Sequence, residues 1–226
     1  RFCTRTEGME TCNFSRAAAV LLAAGQSTRM GRNKLLLEIG GMALIRRVAL
    51  AYLDAGIDDV VVVTGHQREA VEGALDGLAV RCAFNPAFAN GQTRSIHAGL
   101  AAVGAEADVA LVGLGDMPLL GAGDIRALAS RWANAGKPVC VPCCDGVPGH
   151  PVAFAADRIG AILDGRIAVG RQRLLQENSA LVDRWESGNP HYVRDIDSED
   201  DLRALLGAPL PVIFWHTRQW QFSAKA

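Results

Sequence analysis

The feature that most constrains this chain is a series of short apolar runs without polar alternation, each followed by a stretch of helical period. Residues 19–23 (AVLLA) and 60–64 (VVVVT) have no polar face, so as strands they must be covered on both sides. Residues 80–84 and 109–112 extend the series. Between the first two runs, Leu44, Ile45, Val48, Tyr52 and Leu53 recur every three to four positions, and Gly56 follows where a helix needs a left-handed cap. A second helix is expected near residues 93–103. A third is expected from about Asp124, with Ile125, Leu128 and Trp132 on one face and Asp124 as N-cap. Strands alternating with crossover helices predict an α/β fold, a Rossmann-like and mostly parallel sheet with helices on both faces.

After Gly136 the pattern changes. Residues 139–141 and 151–154 read as short strands around a loop with Gly146, Pro148 and Gly149, which predicts a small antiparallel excursion at the sheet's edge. A helical segment at 158–163, a Gly-flanked stretch at 165–175, strands at 181–185 and 192–193, and a short helix capped by Ser198 complete the series. With 226 residues, half of them apolar, the chain can bury one sizeable core. One domain is expected over residues 17–207. The segments 1–16 and 208–226 carry no pattern that assigns them a place in it, although Trp215 and Trp220 are candidates for an interface.

A formal charge of -1 gives no electrostatic reason to expect a nucleic-acid partner. The apolar runs fall well short of the roughly 20 residues that cross a bilayer. The first residues lack the apolar stretch of a signal peptide, so a cytoplasmic protein is expected. Cys140, Cys143 and Cys144 lie close together, but no second Cys or His pair matches their spacing, and they read as strand cysteines rather than zinc ligands. His66, His97, His191 and His216 have no ligand-like spacing either.

The most informative stretch, residues 22–34 (LAAGQSTRMGRNK), follows the first strand directly. Leu22, Ala23, Ala24 and Gly25 let a ligand approach the backbone, whose N–H groups can point at phosphate oxygens. Arg29 and Lys34 add two positive charges at the carboxyl end of a strand, where open α/β sheets bind ligands. Lys34 is followed by Leu35, so this is not a G-x-x-x-x-G-K-[ST] loop, and there is no G-x-G-x-x-G dinucleotide fingerprint.

The pattern L-A-A-G-x-S-x-R-M-G-x-x-K resembles the signature of the molybdopterin nucleotidyltransferases, the MobA-like NTP transferases, and of their relatives among the nucleotide-sugar pyrophosphorylases. It is most similar to that of the molybdenum cofactor cytidylyltransferases, and the similarity runs from about Ala18 to Leu206. The resemblance implies a nucleoside triphosphate under the loop, Mg²⁺, and Arg29, Lys34 and Asp116 as catalytic residues. Asp116, in Gly115-Asp116-Met117-Pro118, would hold the metal, with Asp197 of Asp195-Ile196-Asp197 as a second ligand. The Ser198 capping arrangement equally gives those acids a helix-dipole role. Gly91 and Ser95 would lie near the base or ribose, or simply cap a helix. His150 would face the acceptor, or serve structure alone. Where many relatives read G-D-x-G-A-R, this chain has Gly165-Arg166-Ile167-Ala168-Val169-Gly170-Arg171, which leaves the acceptor open.

Such a set suits attack by an acceptor phosphate on the α-phosphorus of the triphosphate, with release of pyrophosphate. CTP is preferred over GTP, because Ala24 stands where guanylyltransferases of the family carry Gly. The expected reaction transfers CMP to molybdopterin. The alternatives are a guanylyltransferase, a cytidylyl- or uridylyltransferase acting on a sugar or alditol phosphate, and a non-catalytic nucleotide-binding accessory in molybdoenzyme maturation. A Rossmann dehydrogenase would need the missing fingerprint.

Overall fold

A computed structural model of the chain describes residues 16–207, apart from the side chains of Arg29, Arg171 and Gln172. Trp215, Trp220 and His216 lie outside the described residues, as do residues 1–15 and 208–226 of the terminal segments. The first half alternates β1 (Ala17–Ala23), α1 (Leu44–Asp54), β2 (Asp59–Thr64), α2 (Arg68–Ala74), β3 (Arg81–Phe84), α3 (Gln92–Ala101) and β4 (Val109–Leu114). The second half holds α4 (Ala122–Ala135), β5 (Val139–Cys144), β6 (Val147–Pro148), β7 (Val152–Ala155), α5 (Ile159–Leu163), α6 (Arg171–Glu177), β8 (Val182–Glu186) and α7 (Glu199–Leu206).

These strands form one eight-stranded sheet in the order β3-β2-β1-β4-β7-β5-β6, with β8 also paired to β5. β1 is central. Its Val20 lies beside Val61 of β2 and Val112 of β4, both parallel, and Ala18–Leu21 are fully buried, as their unbroken apolar character requires. α1 and α4 cover one face through Leu44, Ile45, Val48, Tyr52, Ile125 and Leu128. α3, α5 and α6 cover the other through Ile96, Leu100, Ile162 and Leu174. The expected Rossmann-like, mostly parallel sheet with helices on both faces is what forms.

Four details differ from the expectations. The antiparallel excursion is inside the sheet, not at its edge: β7 pairs antiparallel with both β4 and β5, and so bridges the two parallel sections. Residues 192–193 belong to a 3-10 turn, Pro190–Val193, because Pro190 starts a turn and Asn189 caps it by accepting the His191 N–H. Asp124 is not the N-cap of α4. Gly121 holds that place, and the Asp124 carboxylate reaches back to accept its N–H at 2.9 Å. α2 had no apolar stripe to announce it, since Val71 is its one buried residue.

Candidate active site

β1 ends at Ala23, and the chain turns through Ala24 and Gly25 into a loop built by its own short-range bonds. Ser27 adopts a left-handed backbone (φ 51°), its carbonyl accepts the Met30 N–H at 3.0 Å, and its hydroxyl accepts the Lys34 N–H at 3.2 Å. Asn33 then caps the turn Lys34–Leu36 by accepting the Leu35 N–H at 3.1 Å, and Leu35 plugs into the core. Lys34 is thereby fixed beside the cleft. Arg29 sits in the turn Thr28–Met30, and its side chain lies outside the described residues.

The opposite wall is the end of β4. Gly115 donates its N–H to the Leu22 carbonyl at 2.9 Å, and a Cβ there would come within 2.8 Å of Ile45 and 3.0 Å of that carbonyl. Only glycine lets the two strand ends lie this close. Asp116 follows, and its own carbonyl accepts the Ile196 N–H at 3.0 Å. Ile196 is buried in the core, so in this extended segment its neighbours Asp195 and Asp197 are turned the other way, toward Asp116. One ligand oxygen from each of Asp116, Asp195 and Asp197 lies within 4.8 Å of the others.

Lys34 Nζ stands 2.6 Å from Asp116 Oδ2 and 2.7 Å from Asp197 Oδ1. Burial by itself would lower the Lys34 ammonium, but the charges and hydrogen bonds of Asp116 and Asp197 outweigh it and hold the group above the ordinary lysine range. Burial pushes the Asp116 carboxyl up, against the pull of Lys34. Asp116 Oδ1 is buried and has no hydrogen-bond partner among the described residues. An orphaned, desolvated carboxylate oxygen inside a trio of acids is a donor set suited to a hard divalent cation.

These groups open on a cleft of about 480 Å³. Its far end is made by Phe88, Ala89 and the start of α3, with Gly91, Gln92 and Ser95 on the wall. Leu22, Ala24, Gly25, Lys34, Gly91, Ser95, Asp116 and Asp197 therefore meet in one place. Ala23 is buried beneath it and is absent from the lining. His150 is also absent from the lining; its N–H donates to the Tyr192 carbonyl at 2.8 Å. The adjacent Gly149 packs so close that a Cβ would meet that same carbonyl at 2.1 Å, which ties this loop to the turn before Asp195.

Sequence reasoning missed Asp195 as a ligand candidate. The signal was present: acid–apolar–acid in an extended segment puts both acids on one side. The cysteines do not gather. Cys140 belongs to the core on one face of β5 and Cys143 to that on the other, while Cys140 Sγ meets Asp183 at 3.6 Å. Arg166 pairs with Asp164 at an exposed position. A second cavity, about 350 Å³ and lined in part by Arg16, Ile57 and Ile125, shares no residue with the cleft. No helix among the described residues is long and apolar enough to cross a membrane.

The profile of a family described as the MobA-like NTP transferase domain matches residues 19–183, which include the loop, Asp116 and the start of α3. A curated relative, the bifunctional protein GlmU of Sorangium cellulosum, is 38% identical over 183 residues, covering 75% of this chain but only 38% of the relative. Among solved structures, a nucleotidyl transferase from Methanothermobacter superposes with a TM-score of 0.72 at 27% identity, covering 86% of this chain and 97% of that one. Rv0371c from Mycobacterium tuberculosis gives 0.71 at 25% identity, covering 86% and 100%.

Proposed function

The chain belongs to the MobA-like NTP transferase family, and on that footing we propose that it transfers CMP from CTP to the phosphate of molybdopterin, releasing pyrophosphate. The observation that carries this reading is the meeting of Lys34 with Asp116, Asp195 and Asp197 at the mouth of a small-residue loop. Two anions must approach one another in such a reaction, so the site's work is to neutralise charge and hold the reactants in line.

Ala24 and Gly25 bring backbone to the cleft surface, where it can meet the triphosphate without intervening side chains. Lys34, held charged, donates its ammonium hydrogens to phosphate oxygens once it exchanges its carboxylate partners for the nucleotide. Arg29 is assigned a second cation on the same phosphates. Gly91 and Ser95 face the base or ribose, and His150 belongs with the acceptor loop. An acceptor phosphate oxygen bonds to the α-phosphorus, the bond from that phosphorus to the bridging oxygen breaks, and pyrophosphate leaves. Asp116, with Asp197 and Asp195, would hold Mg²⁺, which supplies charge neutralisation on the triphosphate when bound.

Ala24, which lines the cleft and stands where guanylyltransferases of the family carry Gly, supports CTP over GTP. Turnover of each nucleotide at matched concentration tests this, and a GTP rate above the CTP rate would overturn it. A sugar or alditol phosphate is the second acceptor reading. It rests on the departure at Arg166 from the G-D-x-G-A-R pattern that the resemblance implies. Supplying CTP with either acceptor and identifying the product by mass separates the two.

A further inference from the structure

Asn85, directly after β3, has no part in the site as described, yet it is 4% exposed and bonded to a residue that lines the cleft. Its N–H donates to the Thr64 carbonyl at 2.9 Å, and its Oδ1 accepts the Ala87 N–H at 3.0 Å. That second bond decides which end of the amide carries the NH₂ group, because a backbone N–H needs an acceptor. The Nδ2 then donates to Ser95 Oγ at 3.0 Å. Ser95, itself 4% exposed, thus has one lone pair engaged from behind, on the side away from the cleft that it lines. With its oxygen held in this way, the hydroxyl hydrogen can be presented to the cleft.

We propose that Asn85 is a positioning residue for base recognition: by engaging the Ser95 oxygen it commits the hydroxyl to donate into the cleft, which selects a base presenting an acceptor, such as the N3 or O2 of cytosine. The proposal rests on the nucleotidyltransferase reading. The base edge supplies the acceptor, and a base offering N–H at the same point would meet donor with donor.

Calorimetric titration of the full chain with CTP and Mg²⁺ tests it without requiring the acceptor. Asn85→Asp keeps the acceptor for the Ala87 N–H but offers Ser95 a second acceptor in place of a donor, so the hydroxyl hydrogen turns away from the cleft. The Kd for CTP is expected to rise about tenfold. Ser95→Ala should weaken binding comparably, and the double variant should bind no worse than Ser95→Ala alone. Equal and additive losses, or an unchanged Kd in Asn85→Asp, would overturn the proposal. If Asn85→Asp does not fold, Asn85→Ala serves: a free hydroxyl should lower the preference for CTP over GTP several-fold, whereas equal weakening of both nucleotides would mark a merely structural role. A wild-type chain that binds none of the four triphosphates would instead overturn the functional reading, and this inference with it.

Discussion

Ile196 donates its backbone N–H to the carbonyl of Asp116 at 3.0 Å, and through that bond the C-terminal segment delivers Asp195 and Asp197 to the end of β4. The buried isoleucine is the anchor, and the two acids gain their direction from it. Residues about eighty positions apart in the chain become one charged group because a strand end and an extended segment share a backbone hydrogen bond.

Ile196→Ala should therefore do two things. Removing a side chain that is 2% exposed should cost about 2–4 kcal/mol of stability by denaturant unfolding. It should also weaken Mn²⁺ binding, followed by electron paramagnetic resonance, because Asp195 and Asp197 lose their fixed register. A destabilised variant with undiminished Mn²⁺ affinity would show that the anchor does not govern the acids.

Lys34→Ala should lower turnover at saturating nucleotide by roughly 10²-fold or more, the scale for one well-placed electrostatic group. It should also destabilise the protein by roughly 2 kcal/mol, because Asp116 would stay buried without its cation. An unchanged rate in a folded variant would remove Lys34 from the mechanism.

Asp183 offers a test of electrostatics away from the site. Two hydrogen bonds from Arg131, at 2.7 and 2.9 Å, hold its carboxyl below the ordinary value of 3.8. A depressed folded value means that the stabilisation is present above the unfolded value and is lost as pH falls through the folded one. Asp183→Asn should lower the melting temperature at pH 7, and the gap from wild type should close on acidification. A gap that widens toward low pH would contradict the assignment.

Burial and the Asp183 charge push the Cys140 thiol up to about 12, so very little thiolate exists at pH 8. Iodoacetamide should label the exposed Cys82 well before Cys140 in the native protein, with peptide mass spectrometry as the readout. Rapid labelling of Cys140 would reopen a chemical role for that cluster.

Much of this was legible in the sequence because it was carried by local pattern. The unbroken apolar runs gave β1, β2 and β4, and the small-residue loop with Lys34 gave one wall of the cleft. What stayed hidden depended on contacts distant in sequence. β7 lies inside the sheet because β4 and β5 both pair with it, a choice that four residues of strand do not announce. Asp195 was passed over because the role of an acid in an extended segment depends on which neighbour is buried, and Ile196 reveals that only once it is docked against Asp116. Asn85 carried no motif at all; its bond to Ser95 exists because β3 and α3 meet behind the cleft.

The most direct test of the account is pyrophosphate release by the full chain with Mg²⁺ and each of the four nucleoside triphosphates, with and without molybdopterin, beside an Asp116→Ala variant. Release that requires CTP, molybdopterin and Asp116 is the predicted result. Release that persists undiminished in Asp116→Ala, or no release with any triphosphate, would contradict nucleotidyl transfer at this site.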